Sequence, residues 1–114
     1  MTDTLDSSQQ PSTVHCDSAV DGLVIRLVGE IDISSWPLLD KVYEQVIAAD
    51  PGSVTVDLSA ATFVDSTTLG FLARLHQHVT DGGNEFILDS PSRIVTRAIQ
   101  VCGLDQVLTV RHPG

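Results

Sequence analysis

Ser66 is the residue whose type and position could do chemistry that its neighbours could not. It lies in VDLSAATFVDSTTLGFL, Val56 to Leu72, between a stretch that reads as a strand and one that reads as a helix. Val54, Val56 and Leu58 alternate with polar partners, whereas Leu69, Leu72, Ala73, Leu75, His76 and Val79 recur at spacings of three and four. The period changes between Phe63 and Leu69, which puts Asp65, Ser66, Thr67 and Thr68 at the start of the helix. Unpaired backbone N–H groups there accept side-chain oxygens, and the helix dipole favours negative charge. Two chemistries fit: a phosphate on the Ser66 hydroxyl, or a serine that only caps its helix. The residues alone leave both open.

Other reactive types fit less well. No GxxxxGK, GxSxG or HExxH segment exists, and no histidine has an assignable position from which to activate Ser66. Asp32, Asp57 and Asp65 near strand ends are the residue types of a phosphoaspartate receiver. The only lysine, Lys41, sits in mid-helix, however, and Asp57 falls inside a strand in opposite phase to its apolar neighbours. Cys16 and Cys102 match no metal-ligand spacing and read as two separate small hydrophobes, with a redox disulfide as the sharper alternative. His76 and His78, two apart on a helix, point to different faces and read as solvated or core-edge residues rather than metal ligands. The reading is therefore a binding module, not an enzyme, with no metal and no cofactor.

Charge narrows the partners. Fifteen Asp and Glu against six Lys and Arg give a net charge of -9, so nucleic acid and anionic membrane surfaces would repel the chain. No apolar run approaches the roughly 20 residues of a spanning helix, and MTDTLDSSQQPS lacks the basic and apolar regions of a signal peptide. Direct membrane insertion is not expected, and a cytoplasmic protein is.

These residues need elements to position them. Residues 1–12, rich in Ser, Thr, Gln and Asp, read as a disordered tail, and 13–114 as one domain. Thr13 to Val20 and Leu23 to Val28 read as strands joined at Asp21-Gly22, a hairpin dipeptide. Leu38, Leu39, Val42, Tyr43, Val46 and Ile47 mark a helix with a broad apolar stripe, with Pro37 in its first turn and Pro51-Gly52 ending it. Strand Ser53 to Leu58, the helix from Ser66 to about Thr80 and strand Glu85 to Leu88 follow. Ser90-Pro91 then reads as the cap and first position of a helix that stops at Gly103, before a last edge strand over Val107 to Val110. Strands alternating with helices imply right-handed crossovers. The expected fold is α/β, with a mixed, mostly parallel sheet, an N-terminal β-hairpin and helices packed against it.

In this order, two segments carry a resemblance. Gly29-Glu30-Ile31-Asp32 resembles the G-E-(L/I)-D signature of the STAS domain of bacterial anti-sigma factor antagonists. Val56-Asp57-Leu58-Ser59 through Phe63-Val64-Asp65-Ser66 to Leu69-Gly70 resembles that family's D-S-S-G-L-G phosphorylation segment. One helix and one strand separate them, as in the family, and the likeness covers roughly residues 13 to 111. Where the family commonly has Ser-Gly after the acceptor, this chain has Thr67-Thr68. Two β-branched residues then stand where a glycine lets a partner approach the backbone.

The resemblance implies that Ser66 is phosphorylated by a partner that is both anti-sigma factor and serine kinase. The unphosphorylated form captures that kinase and frees the sigma factor for transcription; a phosphatase resets Ser66. It also places Glu30, Asp32, Asp65, Ser66, Thr67 and Thr68 on the partner-binding rim. From the residues alone, Asp32 could equally cap the first helix together with Ser34. Trp36 reads either as a hydrophobic clamp or as an exposed contact anchor. The alternative function is a STAS accessory subunit of a membrane lipid or anion transport complex.

Overall fold

Alternation in GLVIRLVGEI builds the centre of the fold, because Ile25, Leu27 and Ile31 send their side chains to one fully buried face. The computed structural model describes residues 13–19 and 22–112. The expected tail over 1–12 and Asp21 of the expected hairpin turn lie outside the described residues. The central strand β2 (Gly22–Ile31) pairs antiparallel with β1 (Thr13–Ala19), from Thr13 opposite Val28 to Ala19 opposite Gly22. On its other side, the first half of β2 pairs parallel with β3 (Ser53–Asp57). A Cβ on Gly22 would stand 1.9 Å from the Ser53 carbonyl oxygen, so glycine is what lets these strands start side by side.

The second half of β2 takes a different partner, β4 (Ala61–Val64), also parallel. The register slips between Gly29 and Glu30, so one step along β2 faces two along β4. Gly29 makes this bulge at φ 88, which explains the glycine of the Gly29-Glu30-Ile31-Asp32 segment. Strands β5 (Phe86–Asp89) and β6 (Thr109–Arg111) extend the sheet beyond β3, both parallel, giving the order β1-β2-β3-β5-β6 with β4 beside β2. The six-stranded sheet is thus mixed, as expected, with one antiparallel pair among the described residues.

Three helices complete the α/β domain: α1 (Trp36–Ala49), α2 (Ser66–Asp81) and α3 (Arg93–Val101). The stripe of α1 is narrower than its composition suggests. Leu39, Val42 and Val46 are buried, while Leu38 and Ile47 lie exposed. On α2, Leu69, Phe71, Leu72, Leu75 and Val79 face the core, and α1 packs beside α2. His76 sits at the core edge, its ring meeting that of Phe86 edge-on at 5.9 Å.

The structure departs from the sequence reading at β2, β4, α3 and β6, the last being Thr109–Arg111 rather than Val107 to Val110. β2 runs to Ile31 rather than ending at Val28, because β4 supplies a ladder for its last residues. β4 itself was not expected. Helix α3 starts at Arg93, capped by Ser92 accepting from the Val95 N–H at 3.2 Å, and not at Ser90-Pro91. Ser90 lies at φ 58, gives its hydroxyl to Asp89 and its N–H to the Arg111 carbonyl, and so finishes the exit from β5.

Candidate functional site

Parallel neighbours bring their carboxyl ends to one edge of a sheet, and Ile31 of β2 stands opposite Val64 of β4. Asp32 and Asp65 are the residues that follow, so the two sequence motifs meet there although these aspartates stand 33 positions apart. The ladder continues one step further, with the Asp65 N–H donating to the Ile31 carbonyl at 3.1 Å.

Asp65 is the N-cap of α2. Its carboxylate accepts from the Thr68 N–H at 3.0 Å and from the Thr68 hydroxyl at 3.1 Å. Ser66 is therefore not the cap but the first helical residue, exposed, with no side-chain hydrogen bond among the described residues. Its oxygen projects from the turn where the free N–H groups and positive dipole end of α2 lie. Thr67 is half-buried beside it.

Thr68, expected on the partner-binding rim, is fully buried instead. Its hydroxyl lies 3.1 Å from the Ile31 carbonyl, binding the start of α2 to the end of β2. A buried hydroxyl is retained only with such a partner, and this one spans 37 residues. Thr68 supports the rim from below, and its β-branch points inward.

Asp32 does not cap the first helix, whose N-cap position is Ser35. It caps a single 3-10 turn, Ile33–Ser35, by accepting from the Ser34 N–H and hydroxyl, and these bonds hold its carboxyl below the usual aspartate range. It also sits on the edge next to Asp65. Glu30 is exposed and faces Phe63 across the bulge. The sequence reading overlooked two apolar members of this edge: Ile33, 72% exposed, and Phe63, 44% exposed. Their only local signal is an apolar type out of phase with its strand or helix.

Trp36 opens α1 and is part-exposed, but the Arg74 guanidinium lies 5.2 Å from its ring centroid and 4.8 Å from that of Tyr43. The Arg74 cation thus links it to α2. Asp57 ends β3, paired with Arg26 at 3.2 Å and accepting from the Ser59 N–H and hydroxyl. Partial burial alone would raise its carboxyl, but the bonds from Ser59 and Arg26 outweigh it and the net shift is downward. Cys16 and Cys102 are both free and exposed rather than packed as hydrophobes, and desolvation together with the Asp17 charge pushes the Cys16 thiol up. No helix among the described residues is long and apolar enough to cross a membrane.

The family model of the STAS domain matches residues 10–112. The chain is 29% identical over 83 residues to the anti-sigma-F factor antagonist RsfB of Mycobacterium tuberculosis, covering 73% of this chain and 67% of that one. Its fold is similar to the crystal structure of an anti-sigma factor antagonist from Mycobacterium paratuberculosis, with a TM-score of 0.81 and 26% identity over 91% of this chain and 87% of that one. The Bacillus cell fate determinant SpoIIAA in its phosphorylated form shares the fold, with a TM-score of 0.69 and 19% identity over 86% and 90% of the two chains.

Proposed function

The chain belongs to the STAS domain family, and on that premise we propose that it is an anti-sigma factor antagonist switched off by phosphorylation of Ser66. Unphosphorylated, it captures an anti-sigma factor that is also its serine kinase, and so frees a sigma factor. A phosphatase resets the switch. The observation that carries this reading is Ser66 itself: an exposed, unbonded hydroxyl on the first residue of a helix whose cap is already supplied by Asp65. A serine needed for capping would have its oxygen turned to the backbone.

Glu30, Asp32, Asp65 and Thr67 surround Ser66 on the partner-binding rim, with Ile33 and Phe63 as apolar contacts and Thr68 beneath. Because Thr68 faces inward, the Thr67-Thr68 departure sets only the half-buried Thr67 near an approaching kinase. Phosphorylation adds about 1.5 to 2 negative charges, which the helix end tolerates despite the neighbouring Asp65. A partner surface matched to a neutral hydroxyl does not tolerate them. Desolvating that dianion without a new cation costs several kcal/mol, and about 1.4 kcal/mol is already tenfold in affinity. The net charge of -9 favours a protein partner in the cytoplasm over nucleic acid or membrane, and the domain acts by binding, without catalysis of its own.

The test is incubation with the cognate anti-sigma kinase and ATP, read by mass spectrometry. The wild-type chain should gain one phosphate, at Ser66, and Ser66→Ala should gain none while keeping its melting temperature. Phosphate only on Thr67 would shift the acceptor by one residue. No phosphate with any kinase of this class would move the chain to the transport-complex reading.

A further inference from the structure

The distribution of cations marks a second site, on α3. The chain has six Lys and Arg. Arg26 and Arg111 are ion-paired with Asp57 and Asp89, Arg74 lies over two aromatic rings, and Lys41 stands exposed on α1, away from the groove and without an ion pair among the described residues. Arg93 and Arg97 have no ion pair or side-chain hydrogen bond among the described residues, and both border one groove of about 710 Å³, together with His112. Among the described residues, no Asp or Glu borders it. On a protein of net charge -9, two unmatched guanidiniums on an acid-free groove form an island of positive potential.

The rest of the lining is mixed, with Thr96 and Gln100 beside the apolar Pro91 and Ile94. Pro91 and Ile94 form its wall, and Ile94 is 62% exposed although it sits between the two arginines in sequence. Arg93 and Arg97 are one turn apart on the helix, about 6 Å of rise, a spacing from which two guanidiniums can grip one polyatomic anion. They also stand on the first two turns of α3, where the helix dipole has the same sign as their charge. The volume falls within the roughly 300 to 1,000 Å³ of small-molecule sites. The border, two turns of one helix with Pro91 and His112, is too short for the roughly 800 Å² per partner of a stable protein interface.

We infer that the α3 groove binds a small organic anion, its phosphate or carboxylate head between Arg93 and Arg97 and its apolar body against Pro91 and Ile94. This inference is independent of the Ser66 switch. The test is a nuclear magnetic resonance titration of the full chain with phenyl phosphate, benzoate, inorganic phosphate and benzyl alcohol. Phenyl phosphate and benzoate should shift the amides of residues 91–100 and 111–112 saturably, and the tighter of the two identifies the head group. Arg93→Gln with Arg97→Gln should weaken both at least tenfold, and raising the NaCl concentration should weaken binding to the wild-type chain, a readout that needs no variant. Inorganic phosphate or benzyl alcohol binding as tightly as the organic anions would overturn the inference. So would shifts that lie outside these residues, survive the double substitution or ignore salt.

Discussion

Thr68→Val isolates the contact that fixes the acceptor loop, since it keeps the β-branch and roughly the volume while deleting one hydroxyl. That hydroxyl has a single proton shared between the Ile31 carbonyl and the Asp65 carboxylate, each at 3.1 Å. Neither acceptor is orphaned by the change. The Ile31 carbonyl keeps the Asp65 N–H at 3.1 Å, and the carboxylate keeps the Thr68 N–H at 3.0 Å. The loss should therefore be close to the net worth of one hydrogen bond, about 1 to 2 kcal/mol, rather than the larger penalty of a buried unsatisfied group. For a domain of this size that is a fall in melting temperature of about 5 to 10 °C. Asp65→Ala removes the cap at a cost of about 1 kcal/mol and takes away one of the two acceptors. The double variant should then be less damaged than the sum, by about 0.5 to 1 kcal/mol. Urea denaturation of the four proteins closes the cycle. A Thr68→Val midpoint indistinguishable from wild type would refute the idea that this hydroxyl joins α2 to β2, and single effects that simply add would show that its proton is not shared with Asp65.

Two further outcomes follow from the same geometry. Ser66→Asp adds a charge at a helix N-terminus worth roughly 0.3 to 1 kcal/mol, so its melting temperature should hold or rise slightly, while calorimetric titration should show affinity for the kinase at least tenfold weaker. Asp32, Asp57 and Asp89 all have carboxyls lowered in the folded chain. The unfolded chain then binds more protons, so their stabilisation is complete above about pH 4 and is lost as pH falls through the lowered folded values. Asp57→Asn should flatten the acid limb of stability measured by urea midpoints from about pH 5 downwards, and an unchanged limb would show that Ser59 and Arg26 do not favour its charged form.

What could be read in the sequence was what repeats along the chain. Val54, Val56 and Leu58 at period two, and Leu69, Leu72, Leu75 and Val79 at helical spacing, bury one face each, and burial of one face is what a periodic pattern records. β4 has no such record. Ala61 and Val64 are buried while Thr62 and Phe63 between them are exposed, a spacing of three rather than the two of a strand. Its partner is half of another strand, reached only past the bulge at Gly29. Ser90-Pro91 carried the local signature of a helix start, and a left-handed Ser90 bonded to Asp89 took that oxygen elsewhere. Four polar residues in a row, Asp65 to Thr68, likewise could not declare which one faces the core. Thr68 is inside because of a carbonyl 37 residues away.

That long-range bond bears on how the switch would operate. The hydrogen bonds that seat the loop run between Asp65, Thr68 and the Ile31 carbonyl, and Ser66 contributes no side chain to them. A phosphate added to Ser66 thus has no internal hydrogen bond to break. Its effect on the fold reduces to the helix-end term of at most about 1 kcal/mol, partly offset by repulsion from Asp65. At a docked partner the same charge meets desolvation worth several kcal/mol. The modification would be nearly invisible to the domain that carries it and decisive for the protein that reads it, because the bonds that seat the loop pass through Asp65 and Thr68 and not through the Ser66 side chain.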